Sequence, residues 1–498
     1  MVLVAYAPSL GGGFLNWDDP WLVRDNPLLR RASLADLRAI WTDLRDPIRM
    51  ALGAEYLPVR DTSLWFESHL HGLQPQLLRG ANLLLYFVAL LLLRTALLRA
   101  IGGWAAEAAI WIFALHPVHV ESVAWIAARK DMLALFWIAA SLALYASRSR
   151  ARLLLPFLVA LACFSKALAV ATPVLLFAHD LIAQRRPSWR PLAASFAVAA
   201  AAALVHLHVG GIVGMAAPPV GGSRITSVAT MGGVWLRYVQ MLVAPTRLSV
   251  IYDVTPRQLS EPVTWLGWGL LLIWALWAIH GWRRDRPAPL AGLFWFAAPL
   301  LLVSHLFIPL QNLMADRYLL LPAMAPALLL TLLRRPIALG VATTAWISIA
   351  LPGTIHRSAL FADSVALWQD ATAHTTTSPI PPYQLALAQT ERGDLTSAIA
   401  SYREALRRAP TGDEIGRRTT SNLAALLVEQ GALAEAEQLL RTGFARWPDD
   451  PKLLNNLAEV VARQRRDPEA RRLYEELLRR FPRYELGIRN YQRRYGAP

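Results

Sequence analysis

The sequence predicts an all-α protein in two parts: a polytopic helical membrane domain over residues 1–352 and a C-terminal α-solenoid over 380–498, joined by a polar link at 353–379. Three observations predict it. Apolar runs long enough to cross a bilayer recur as far as Pro352. The chain is 55% hydrophobic and only 17% charged, with a mean hydropathy of +0.34, whereas a soluble domain carries about 25% charged residues. Beyond residue 380 the runs give way to Ala, Leu, Arg and Glu at helical spacing, in a phase that repeats.

The formal charge of +15 does not point to nucleic acid, because the Arg residues sit in short clusters between apolar runs, as in a membrane protein that orients itself by charge. The single cysteine, Cys163, lies inside an apolar run and excludes a disulfide framework or a cysteine zinc site. No metal is expected. Met1–Leu10 is too short to span ~30 Å of hydrocarbon, which takes about 20 residues, and it resembles the end of a first span. No basic region precedes it, so a cleaved signal peptide is not expected.

Residues 11–80 form the first large polar loop, expected outside the cytoplasm. It opens with Asn16-Trp17-Asp18-Asp19-Pro20-Trp21. Two carboxylates directly after a span suit a catalytic base or a cation site. Asp19-Pro20 is also a good helix start, but Asp18 is not needed for capping. Ser33–Trp41 and Asp61–His71 read as amphipathic helices lying along a membrane surface.

Spans are expected at about 81–101, 104–127, 131–147, 153–165, 168–183, 191–209, 262–282, 289–308, 316–333 and 336–352, making about 11 with the short first one. Residues 232–244 are apolar but short and carry Arg237. Arg94/Arg99, Arg148–Arg152, Arg185–Arg190, Arg283–Arg286 and Arg334/Arg335 fall at alternate ends of successive spans. All five groups can therefore share the cytoplasmic face. The Asp18/Asp19 loop, the His116–Asp131 turn, the Lys166-Ala167 junction, the loop 210–230 and Asp316-Arg317-Tyr318 then share the other.

The densest cluster is His116-Pro117-Val118-His119-Val120-Glu121, followed by Arg129-Lys130-Asp131. Ionisable groups at membrane depth are costly and mark function; the alternative is an interfacial turn whose charges meet headgroups. Lys166 either snorkels to the interface or binds phosphate. Asp316 and Arg317 either pair with each other, with Tyr318 as an interface anchor, or Arg317 meets a phosphate. His305, Gln311, Arg224, Tyr252 and the His206/His208 pair carry weaker signals.

In the tail, Ala398, Ala436 and Ala470 recur at intervals of 38 and 34 residues, and Pro410, Pro448 and Pro482 keep the same offsets. Small residues at a helix crossing, an aromatic four residues on (Tyr402, Tyr474) and a closing Pro fit the tetratricopeptide period of 34. The second unit has Leu440 where an aromatic belongs, and Thr411–Gly416 supplies the longer first interval. About three repeats are expected, with a concave face suited to polypeptide partners.

Together, Asn16-Trp17-Asp18-Asp19, the His116–Glu121 motif with Arg129-Lys130-Asp131, Ala315-Asp316-Arg317-Tyr318-Leu319-Leu320-Leu321-Pro322 and the repeat tail resemble the transmembrane and tetratricopeptide-repeat-containing (TMTC-like) family, similar in fold to the GT-C glycosyltransferases. The resemblance implies a GT-C-like membrane domain moving a sugar, mannose or another hexose, from a polyprenyl-phosphate donor to a protein hydroxyl on the periplasmic side of the inner membrane, where the repeats would also lie. The family's acidic pair falls on Asp18 and Asp19, the expected catalytic residues. An inverting transfer also needs cations around the departing phosphate; His116, His119, Arg129, Lys166 and Arg317 are the expected donors, with Glu121, Asp131, Asp316 and Tyr318 in the same site. No cofactor is expected beyond the lipid-phosphate sugar substrate. One departure stands: relatives tend to carry Lys-Glu where this chain has Lys166-Ala167. The alternative function is a non-catalytic, membrane-anchored repeat scaffold; a transporter would call for inverted-repeat symmetry, which the span pattern lacks.

Overall fold

The computed structural model describes residues 1–498 except 215–216, 334, 411 and 497–498. Arg334 of the fifth basic group and Thr411 of the inter-repeat insertion thus lie outside the described residues. Every regular element among the described residues is helical, and the chain forms two compact units, Met1–Asp363 and Ser364–Pro498.

The first unit begins with α1 (Val2–Leu10) and a wide turn at Pro20–Arg24, then four helices of the polar loop: α2 (Pro27–Arg31), α3 (Leu34–Thr42), α4 (Asp46–Ala51) and α5 (Pro58–His71). Ser33 caps α3 through a capping box with Asp36, satisfying two otherwise orphaned donors. There follow α6 (Pro75–Ile101), α7 (Gly103–Ala114), α8 (Val120–Ala124), α9 (Arg129–Ser147), α10 (Leu155–Ser165), α11 (Thr172–Ile182), α12 (Trp189–Ile212), α13 (Arg224–Val243), α14 (Pro262–Arg283), α15 (Ala288–Leu302), α16 (Met324–Leu330) and α17 (Pro336–Leu360).

Four of these, α6, α12, α14 and α17, are long and apolar enough to cross a membrane, and α14 keeps Trp265, Leu266, Leu272 and Ile273 exposed. Several expected spans are broken instead. The 104–127 run divides after α7, because Pro117 cannot donate a helical hydrogen bond and holds His116 extended, at φ −70° and ψ 123°. The 316–333 run divides into a turn at Asp316–Leu319 and the short α16, and the 289–308 run ends as a helix at Leu302. The 210–230 loop is largely helix, with α12 reaching Ile212 and α13 starting at Arg224; residues 232–244 lie mostly in the second half of α13. α17 continues through Pro352 into the expected polar link. Tertiary partners hold its last turns: Thr354 donates to the Leu115 carbonyl (2.8 Å), Arg357 to Leu248 (3.0 Å) and Ser358 to Tyr6 (3.2 Å).

α6 packs lengthwise on α9, α9 on α10, and α13 on α14. The last pair crosses at glycine, where a side chain on Gly267 would collide with the Gly232 backbone. The basic clusters meet at one end of this bundle. Arg185 donates to the Arg99 carbonyl (2.9 Å), Arg148 to Arg186 (3.2 Å), Arg152 to Ser188 (2.9 Å), and Gln184 to Asp285 (3.2 Å).

The second unit holds α18 (Ser364–His374), then the antiparallel pairs α19 (Ile380–Glu391)/α20 (Leu395–Arg408), α21 (Glu414–Glu429)/α22 (Leu433–Arg446) and α23 (Pro451–Arg463)/α24 (Asp467–Arg480), closed by α25 (Glu485–Tyr495). Ala398, Ala436 and Ala470 are fully buried at the crossings. Tyr402, Leu440 and Tyr474 fill equivalent core positions, so the leucine of the second pair preserves the packing that the aromatic provides in the others.

Candidate functional site

At the end of the first unit away from the basic clusters, three polypeptide breaks converge: the loop before Pro20, the turns between α7 and α9, and the turn at Asp316–Leu319. The Trp17 ring lies flat on Trp125, with centroids 4.1 Å apart and planes at 10°. The Arg317 guanidinium sits over Trp17 (5.8 Å), Trp125 (5.7 Å) and Tyr318 (5.5 Å). Its charge is met by Glu121, which also accepts the Arg317 backbone N–H (3.3 Å). Beside it Lys166 pairs with Asp131. Asp131, Lys166 and Arg317 form the charged wall of a narrow cleft of about 10 Å³, whose other wall is apolar, including Leu135, Ile138, Leu168 and Leu320.

Asp18 and Asp19 separate into two roles. Asp19 is fully buried, and its two oxygens accept the backbone N–H groups of Leu15 and Ala127, each at 3.0 Å. It ties the N-terminal loop to the turn after α8. Asp18 is half-buried. Burial raises its pKa, opposed by the charges of Lys130 and Arg317. Of the two, it is the more exposed carboxylate.

The other expected residues divide similarly. His116 accepts from Val118 N (3.3 Å) and bonds the Leu242 carbonyl (3.1 Å), while His119 bonds Tyr86 (2.9 Å) and packs on Phe113. Both rings are fully buried. Arg129 pairs with Glu67 and donates to Asn82 (2.5 Å), Ser63 (3.0 Å) and the Leu78 carbonyl (2.9 Å). Asp316 and Arg317 do not pair with each other. Asp316 is held by Arg357 (2.5 Å) and by Tyr252, which frees Arg317 to face the cleft.

The site also contains groups that sequence reasoning passed over. Glu55 lies 2.5 Å from Lys130 and 3.6 Å from Arg60. Burial would raise its carboxyl, but those charges hold it down to about 2. It is presented by a tight turn in which Gly53 and Ala54 have φ of +82° and +58°, a left-handed backbone that glycine adopts without strain. A lone acid in residues 47–60 was the signal that could have flagged it. Arg357 lay in the expected link and carried none.

Comparison with known proteins adds one family. Residues 427–486 match the tetratricopeptide repeat family. The match covers the end of α21 through the start of α25, and the tetratricopeptide phase of the alanines and prolines extends the same pattern back to α19 and α20. No curated protein matches the chain. Among solved structures, it is similar to one described as the crystal structure of the APC/C hetero-tetramer Cut9–Hcn1, with 12% identity, covering 93% of this chain and 80% of that chain, at a TM-score of 0.25.

Proposed function

We propose that the chain is a protein-binding scaffold, whose tetratricopeptide repeats hold a polypeptide partner and whose first unit is seated in a membrane by its long apolar helices. The repeat match at 427–486 carries this reading, because stacked helix pairs present an extended surface to a partner chain. A photo-reactive residue placed on α21 or α23 of the full chain in native membranes tests it. Cross-linking to polypeptide is expected, and its absence at both helices refutes the reading.

The cleft favours a second activity on the same chain: sugar transfer from a polyprenyl phosphate to a hydroxyl of the bound polypeptide. The supporting observation is a half-buried carboxylate, Asp18, under the influence of Lys130 and Arg317, near a cleft that pairs two cations with an apolar wall. Asp18 takes the acceptor hydroxyl's proton and the freed oxygen attacks the sugar's anomeric carbon. The carbon–oxygen bond to phosphate then breaks with inversion. The leaving lipid phosphate carries the negative charge, which Arg317 and Lys166 stabilise. The gathered basic clusters fit a cytoplasmic end, which would put the cleft on the periplasmic side of an inner membrane. Asp18→Asn in full-length protein, reconstituted in bilayers with a labelled polyprenyl-phosphate hexose and a hydroxyl-bearing peptide, is expected to lower transfer by about 100-fold or more with unchanged melting. Transfer that is absent in the parent, or unaltered in the variant, leaves only the scaffold.

A further inference from the structure

The turn between α14 and α15 lies among the basic clusters, where Gln184 donates to the Asp285 carbonyl (3.2 Å). Its backbone closes on itself. The Gly281 carbonyl accepts from the N–H of Arg284 (3.0 Å) and of Arg286 (2.8 Å), and the Trp282 carbonyl accepts from Asp285 (3.2 Å), which adopts a left-handed φ of +56°. These last carbonyls of α14 are thus satisfied without side chains. Arg284 and Arg286 do not serve as caps, the usual task of a cation at this end of a helix. Neither guanidinium has a hydrogen-bond or ion-pair partner among the described residues, and Asp285 between them pairs with neither.

Both arginines instead line a cavity of about 190 Å³, together with Trp277, His280, Pro289 and Leu332. That is below the ~300 Å³ at which pockets for drug-sized ligands begin, which admits a phosphate with its ester arms and not a nucleotide. A guanidinium fork matches two phosphate oxygens at once, and no carboxylate lines the cavity to oppose the pair. The cavity also leads into an apolar track. Leu266, Leu270, Ile273 and Trp277 follow one another on α14 at intervals of four, three and four residues, so they share one helix face. Leu266, Ile273 and Trp277 are exposed there. Trp277 belongs to both features, ending the track and lining the cavity. A free phosphate would use only the polar half. A phospholipid uses both, and basic pockets at the cytoplasmic ends of membrane helices suit anionic headgroups.

We infer that this cavity holds the phosphate of an anionic phospholipid, gripped by Arg284 and Arg286, with an acyl chain lying along α14. The inference rests on the seating of the first unit in a membrane, and is independent of what the repeats bind and of any sugar transfer. The test is native mass spectrometry of the full chain released from detergent micelles, titrated with phosphatidylglycerol or with phosphatidylcholine of the same acyl chains. Both lipids carry a phosphate, but choline cancels its charge. The parent is expected to bind phosphatidylglycerol about tenfold or more tighter than phosphatidylcholine, and to keep it in millimolar inorganic phosphate. R284Q/R286Q is expected to lose most of that preference. R190Q/R283Q, the same charge change at exposed arginines outside the cavity, is expected to retain it. The lipid comparison on the parent leaves the protein untouched, so the test stands should a variant unfold. Equal binding of the two lipids by the parent, or an equal loss in both variants, overturns the site. Displacement of phosphatidylglycerol by inorganic phosphate assigns the cavity to the free ion and overturns it too. Flotation of the full chain with liposomes separates this failure from that of the membrane seating: a chain that floats without preferring phosphatidylglycerol refutes the lipid site alone, and one that does not float refutes the seating.

Discussion

Asp18 and Asp19 are the same residue type one position apart, yet they have different environments, and the difference comes from position 127. Asp19 neutralises two buried backbone donors. Asp19→Ala strands both, and is expected to cost about 2–4 kcal/mol, read as a lower melting temperature, where Asp18→Asn leaves melting unchanged. Glu55 makes the complementary case. Its carboxyl is held at about 2 against an ordinary 4.5, so its ionised form favours the folded state. That contribution is complete above the unfolded value and is lost as pH falls from about 4.5 towards 2, up to ~3 kcal/mol in all. Parent and Glu55→Gln are therefore expected to differ most in denaturant stability near neutrality and to converge below about pH 2. The acidic pair was visible in the sequence as a motif, but nothing local could separate its members, because the donor that claims Asp19 comes from 108 residues away. The contacts of His116, His119 and Arg129 were illegible for a related reason: a polar group in an apolar run announces a partner without saying whether that partner is a ligand or a group of the protein itself.

At the level of helices, periodicity told more. The alanine and proline phase of the tail located every repeat pair, since each pair buries its own crossing against its neighbour and leaves a direct trace in the sequence. Apolar runs in the first unit told less. Run length measures hydrophobicity, not helix continuity, and Pro117 and the turn at Asp316 interrupt runs that composition treats as continuous. The end of α17 was illegible because Thr354, Arg357 and Ser358 find their partners in distant segments. The α13–α14 crossing depends on backbone approach at Gly232 and Gly267. Gly267→Val is expected to pry the two helices apart, at about 2–4 kcal/mol or more, seen as a lowered melting temperature; Gly269→Val, where a side chain meets open space, is the matched control.

For the first unit as a whole, the telling feature is polarity from end to end. α6, α9, α10 and α11 each run between the cleft and the basic clusters, so groups hundreds of positions apart assemble by chemistry at opposite poles. If the unit crosses a bilayer, the poles face different compartments. Since Cys163 is buried and is the chain's sole cysteine, replacing it by Ala gives a clean background for Trp21→Cys and Arg186→Cys. An impermeant thiol reagent added to intact cells is expected to modify the first and spare the second; equal modification of both overturns the transmembrane arrangement.

The indoles of Trp17 and Trp125 are close and parallel enough for their excited states to mix. Such a dimer produces a paired signal in the far-ultraviolet circular dichroism, and the guanidinium poised above it shifts the emission of both rings. The parent minus Trp17→Phe difference spectrum would isolate that signature from the remaining tryptophans. The protein thus carries its own dye beneath Arg317, able to report any change in the placement of that guanidinium.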